Sequence, residues 1–169
     1  MDEGGTDFPL SFSYQSKVAP MLWVMIALGT IELLVVHFLI SFWSMWVAAI
    51  LSLLSLASII WLILLIHSMK RLPVLVERDR LVMRTGSLTE FVVSGTSIAA
   101  VRVHFPSEAV KERSVLDLGL LAYPNVLVEL SEPVERRTGR QTTAVAHCLD
   151  DPNGFAAAAT KLLDRCRAS

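Results

Sequence analysis

The sequence predicts an α+β protein: a two-helix transmembrane hairpin, then an antiparallel β-sandwich or partial barrel capped by a C-terminal helix. Three observations predict it. Glu32 is the only formally charged residue between Val18 and Ile66. After Pro73 apolar residues recur at every second position, the period of a half-buried strand. From Asp151 the period becomes helical, behind an acid and a proline that suit a helix start.

The apolar run is too long for one crossing, which needs about 20 residues. It divides into two helices, about 20–41 and 46–69, with "FWSMW" (Phe42 to Trp46) as the outer turn. Pro20 fits a first helical turn, where its missing N–H is no loss. Trp43 and Trp46 mark one interface, and Trp23 and Trp61 fall toward the other. The run accounts for a hydrophobic fraction of 53% and a mean hydropathy of +0.54. Residues 1–19 read as a polar, partly flexible cytoplasmic lead-in. Asp2, Glu3 and Asp7 precede any basic residue, unlike a secretory signal, so the helices are expected to be retained as an anchor. The outer turn has no Lys or Arg, whereas Lys17, Lys70 and Arg71 flank the other ends. Basic flanks stay inside, so a multi-pass cytoplasmic-membrane protein with both termini cytoplasmic is expected.

Residues 73–169 form the expected cytoplasmic domain. "PVLVERDRLVMRTG" reads as strand, turn and strand, with Leu81 and Met83 on one face and Arg80 and Arg84 on the other. "TEFVVSGTS" supplies a third strand. "SIAAVRVHF" alternates, with Val101, Val103 and Phe105 on one side. "NVLVELSEPVERRTGRQTTAVAHCL" supplies two or three more, around a Thr138-Gly139 turn. Such alternation points to an antiparallel sheet with one buried face. Between Pro106 and Pro124 a charged half precedes an apolar half. It reads as a long connection whose leucines cover an open end of the sheet; the other reading is a loop touching the membrane surface. The last helix, 152–166, carries an apolar stripe of Phe155, Ala159, Leu162, Leu163 and Cys166.

In "DRLVMRTGSLTEFVVSGTSIAAVRV", Leu81, Gly86, Ser97, Ile98 and Val101 form a pattern that resembles bacterial pleckstrin-homology-like domains of small membrane proteins. "PNVLVEL", followed by "DDPNGF" and a terminal helix, resembles members with two membrane helices ahead of the domain. The likeness spans nearly the whole chain from Pro20. It implies a bent antiparallel sheet of about seven strands closed at one end by the last helix. It carries no catalytic residue, and function must be argued from a site.

Glu32 is the first candidate, because an ionisable group within a crossing is a functional hypothesis by default. In a hairpin turning near residue 43 it lies at the depth of residue 54. Ser52, Ser55 and Ser58 are spaced three apart on the second helix, and small polar faces permit close helix contact. A neutral Glu32 bonded to Ser55 or Ser52, with Gly29 on the same seam, explains both features as intramembrane packing. His37 is five residues further on, about 140° around the helix, which disfavours a proton relay. An ion path through two helices would require several chains.

Two basic groups follow. Lys70, Arg71, Arg78, Arg80 and Arg84 are candidate lipid-headgroup contacts, each worth about 1 kcal/mol near an anionic surface. Arg136, Arg137 and Arg140 are a candidate anion contact at a hairpin turn. His104, His147, Cys148 and Asp150 lack zinc spacing, so no metal is expected. Two cysteines, Cys148 and Cys166, are too few for a disulfide framework and are expected to be reduced thiols. No phosphate loop or nucleophile elbow is present. A net charge of −1 gives no nucleic-acid field. The expected protein is non-catalytic and without cofactor or small-molecule substrate. Its partners are the lipid bilayer and a protein or further copies of itself. A transport component using Glu32 and an anionic-lipid sensor are the alternatives.

Overall fold

The computed structural model describes residues 8–136 and 139–168. In order these form β1 (Leu10–Phe12), α1 (Val18–Ser41), α2 (Met45–Arg71), β2 (Val74–Val76), β3 (Arg80–Thr85) and β4 (Thr89–Ser94). A 3-10 turn (Gly95–Ser97), β5 (Ile98–Arg102), α3 (Ser107–Lys111), β6 (Val115–Asp117), β7 (Val126–Glu135), β8 (Gln141–His147) and α4 (Pro152–Ala168) follow.

α1 and α2 pack as a hairpin. The Ser44 side chain caps α2 by accepting from the Val47 N–H. Leu22, Ile26, Gly29, Leu33, Val36 and Ile40 are the less exposed positions of α1, at alternating spacings of four and three. On α2, Ala48, Ser52, Ser55, Ile59, Leu62 and Ile66 repeat that rhythm. This is the stripe of two helices crossing at a shallow angle. Both helices are long and apolar enough to cross a membrane, and only 6% and 11% of their most apolar windows is buried. The buried core helix of a soluble fold would show the opposite.

The strands form two four-stranded sheets, ordered β1-β2-β3-β4 and β5-β7-β8-β6. The lead-in, whose first seven residues lie outside the described ones, supplies a strand. Its residues 10–12 pair antiparallel with β2, Leu10 opposite Val76. Phe12 meets Phe155 edge-on at 5.5 Å, and the Arg165 guanidinium lies 4.8 Å from the Phe8 ring centre. Because β1 and β2 are neighbours, both ends of the helix pair emerge on the same side.

The Pro106–Pro124 stretch is likewise more structured than a connection. It holds α3 and β6, and β6 runs parallel to β8, so the second sheet is mixed. Leu116 and Leu118 are buried, but Leu116 belongs to a strand of the sheet rather than to a cover over its end, and Leu120 and Leu121 are exposed. The strand read through "SIAAVRVHF" ends at Arg102, after a bulge between Ile98 and Ala100. Val101 then packs on the main core, while Phe105 packs on a small cluster with Leu127, Ala144 and Ala146. The β7–β8 register breaks between Glu129 and Val134, where Pro133 has no N–H to give to the ladder.

α4 starts as its sequence predicts: Asp151 accepts from the Gly154 N–H at 2.9 Å. Phe155, Ala158, Ala159, Leu162 and Leu163 are buried, and Cys166 packs at their edge. One core runs from α4 through both sheets into the base of the helix pair. It includes Tyr14, Val18, Leu22, Leu65, Ile66 and Met69. A domain starting at Pro73 would therefore lack part of its own core.

Candidate functional site

The junction between the helix pair and the sheets holds a set of polar contacts, some of them buried. Gly86, in the β3–β4 turn, has φ +52, a conformation glycine adopts without strain. A Cβ there would sit 2.5 Å from Ser68 Oγ, so only glycine lets the turn approach α2 this closely. The Gly86 N–H donates to the Tyr14 hydroxyl at 2.6 Å, and that hydroxyl donates to the Leu72 carbonyl at 3.0 Å. The Ser87 N–H donates to Ser68 Oγ at 3.1 Å, and Ser68 Oγ donates to the Leu65 carbonyl. One tyrosine thus joins the lead-in, the end of α2 and a sheet turn. Burial pushes the Tyr14 hydroxyl pKa above its usual value, which keeps it a donor.

His147 lies against Tyr14, ring centres 4.9 Å apart, with 1% of its surface exposed. Its Nε2 is 2.8 Å from the Arg84 carbonyl, so Nε2 carries the proton. Nδ1 has no partner among the described residues. Burial holds the imidazole pKa below its ordinary value, and the ring is neutral. Asp150 closes the other side. It accepts from the Ser13 hydroxyl at 2.5 Å, from the Ser16 hydroxyl and from the Ser16 N–H at 3.2 Å, just before α1. Asn125 and Leu149 exchange two bonds at 2.7 and 2.8 Å, holding the β8–α4 connection in place. The arrangement orients and fixes the chain segments that meet here. Among the described residues no group of His, Cys, Asp and Glu could hold a metal.

The helix-pair residues are placed differently from the expectation. Gly29 does lie on the seam, 3.8 Å from Ile59 at its would-be Cβ. Ser52 and Ser55 lie there too. Glu32 does not: it is exposed on the outer flank, and no hydrogen bond joins it to Ser52 or Ser55. His37 takes that partner instead, its Nδ1 2.6 Å from Ser52 Oγ. Ser58 is also exposed and donates back to the Leu54 carbonyl. The seam repeats at four and three, so a row spaced by three leaves it by the third serine. A shallow groove of about 420 Å³ lined by Met25, Ala57, Ser58, Trp61 and Leu62 runs along this flank. Met25 is two turns from Glu32, on the same side of α1.

The basic residues do not form one patch. Arg80 pairs with Glu77 at 2.5 Å and Arg84 with Glu90 at 3.2 Å. Arg78 borders a cavity shared with Phe8 and Asp79. Lys70 and Arg71 end α2, where Arg71 lines a cavity of about 370 Å³ with Leu64, His67, Ser68 and Leu72. Arg140 lines a larger cavity, about 630 Å³, with Arg113, Ser114 and Gln141. Arg136 flanks the same turn, its N–H donating to the Arg140 carbonyl. Arg137 lies outside the described residues. The β7–β8 tip is ten residues along β7 from the junction, about 30 Å of strand.

Sequence reasoning singled out neither Tyr14 nor Ser68, and gave His147 and Asp150 only a rejected metal role. The available signal was the doubled acid Asp150-Asp151, of which only the second is needed to start α4.

No protein-family model, curated protein or solved structure matches this chain. The class that fold and site define is an α+β domain rooted on a pair of apolar helices.

Proposed function

We propose that the chain is a non-catalytic, two-pass protein of the cytoplasmic membrane that holds an interaction or assembly domain rigidly at the inner face. The carrying observation is the shared core. Val18, Leu22, Leu65, Ile66 and Met69 are buried with the sheet residues, and Tyr14 and Ser68 bond the β3–β4 turn to α2. Outside that base, residues such as Leu34, Leu53 and Trp46 are 66%, 68% and 83% exposed. Apolar surface of this extent on a monomer marks a lipid or protein contact. The basic flanks Lys17, Lys70 and Arg71 favour the domain side as the cytoplasmic one. On the residues quoted for the resemblance, the domain is read as pleckstrin-homology-like. Its edge strands offer a route to peptide capture or self-assembly.

A membrane-impermeant maleimide tests this reading in sealed vesicles, with Cys148 and Cys166 replaced. Ser44→Cys and Arg140→Cys are expected to label from opposite compartments; labelling from one compartment contradicts a crossing. Chemical crosslinking in native membranes is expected to yield a discrete larger species. A species no larger than the monomer contradicts assembly.

The outward position of Glu32 favours a second reading, contact with further helices in an oligomeric transport component. Glu32→Gln keeps a hydrogen-bonding group and removes the acid. Loss of ion flux with assembly intact would favour transport; flux unchanged would remove it. An anionic-lipid sensor is the third reading. It rests on Lys70, Arg71 and Arg78, because Arg80 and Arg84 are already engaged.

A further inference from the structure

We infer that the domain carries a second membrane contact, an apolar foot formed by the β6–β7 loop and the β3–β4 tip and seated in the lipid interface. The inference rests on the membrane reading above and adds to it a surface with a stated occupant, the bilayer.

The loop is built to show apolar side chains. The Gly119 N–H donates to Asp117 Oδ1 at 2.7 Å, and the Ala122 N–H donates to the Gly119 carbonyl at 2.9 Å. These bonds close a four-residue turn whose two central residues are Leu120 and Leu121. Leu120 has φ +54, in the left-handed region, where turns favour Gly, Asn or Asp. Leu120 and Leu121 remain 43% and 44% exposed, and Tyr123 60%. Ala122 packs inward on the core. A strained backbone that turns two leucines outward is disfavoured in water. At a lipid interface the leucines are buried, and tyrosine sits well at headgroup level.

The depth of the loop follows from the junction. α2 is apolar from Met45 to Ile66, 22 residues or about 33 Å, enough to fill a core of about 30 Å. Ser68 then falls just beyond the hydrocarbon, level with Lys70 and Arg71. The Ser87 N–H is bonded to Ser68, and Thr85 Oγ1 is bonded to the Leu118 carbonyl at 2.9 Å. Leu118 is thus one strand away from the headgroup level, and the turn begins at the next residue. Leu88, at the β3–β4 tip beside Ser87, is 44% exposed. Two apolar tips, the β3–β4 tip bonded to α2 and the β6–β7 loop bonded to β3 two residues before that tip's contact, face the same boundary.

The test uses the full chain in phosphatidylcholine–phosphatidylglycerol vesicles, with the native cysteines replaced. An environment-sensitive fluorophore is attached at Leu121→Cys and, separately, at Leu88→Cys, where Leu120 and Leu121 are intact. Ile50→Cys reports the helix pair and Arg140→Cys the far end. Labels at 121 and 88 are expected to emit blue-shifted, and to be quenched several-fold more by lipid spin-labelled near the headgroup than by aqueous iodide. Arg140→Cys should show the reverse. Aqueous behaviour at 121 and 88 with lipid behaviour at 50 overturns the foot and leaves the membrane reading standing. Blue-shifted emission without lipid quenching means a protein covers the loop, which also overturns it. Aqueous behaviour at 50 as well overturns both.

Discussion

The helix pair is richer in apolar side chains than the sheets, and the two use them in opposite ways. In the sheets the apolar residues turn inward: Leu81, Met83, Val126 and Val128 are fully buried, as is Phe155 of α4 beneath them. In the helix pair they turn outward, and a stripe one residue wide on each helix makes the seam. The sheets generate their own stability by removing apolar surface from water. On the proposed membrane reading the helix pair gains little that way, since lipid is as apolar as its side chains, and depends on close fit at Gly29, Ser52 and Ser55. The difference shows that hydrophobicity alone does not define a core. On the membrane reading, the solvent each region meets decides which residues hold it together.

Substitutions separate the two regions. The largest effect is expected from Phe155→Ala, which empties the centre of the domain. The loss should be about 3 to 5 kcal/mol. Denaturant unfolding in detergent should lower the midpoint of the sheet transition, while the helical signal of α1 and α2 persists. Loss of both together would show that the helix pair cannot stand alone.

Gly86→Ala acts where the regions meet. The added carbon would press on Ser68 Oγ in a backbone unfavourable for alanine. A cost of about 1 to 3 kcal/mol follows. Protease sensitivity at the β3–β4 turn should rise before the sheets unfold.

The pH dependence comes next. His147 is neutral and its folded pKa lies below the unfolded value of 6.5. Below pH 6.5 the unfolded chain binds a proton that the folded chain refuses, so stability falls as pH drops. The slope is at most about 1.4 kcal/mol per pH unit, ending at the folded pKa. Above pH 6.5 this group adds no slope. Thermal unfolding from pH 8 to 5 should show the decline, and His147→Gln should flatten it.

Glu32→Leu should do least. The side chain is exposed and outside the seam, and such positions move stability by about 0.5 kcal/mol or less. An intact hairpin by circular dichroism is expected. A collapse of the hairpin would return Glu32 to the seam.

The sequence made some elements legible and hid others for physical reasons. α4 was legible because a helix buries a face of its own residues, so the period appears within one segment; α1 and α2 were legible because their apolar run is unbroken over the length of two crossings. The Asp151 cap is local too. The pairing of β1 with β2 was not, since Leu10 and Val76 meet across the whole helix pair. β6 was hidden likewise, a strand of three residues parallel to β8. Depth placed Ser52 and Ser55 near Glu32 well enough. It carried no information on rotation about the helix axis, and that rotation sends Glu32 outward and gives Ser52 to His37. Tyr14 gave no signal because its value lies in three partners, Leu72, Gly86 and His147, brought together only by folding.

Amide hydrogen exchange at the β3–β4 turn, measured on the full chain in lipid nanodiscs, tests most directly whether the domain is rooted in the helix pair or merely tethered to it. Gly86 and Ser87 donate their N–H groups to Tyr14 and Ser68, so they should exchange as slowly as the β3 amides. Exchange at Gly86 and Ser87 orders of magnitude faster than in β3, with β3 still protected, would contradict the account.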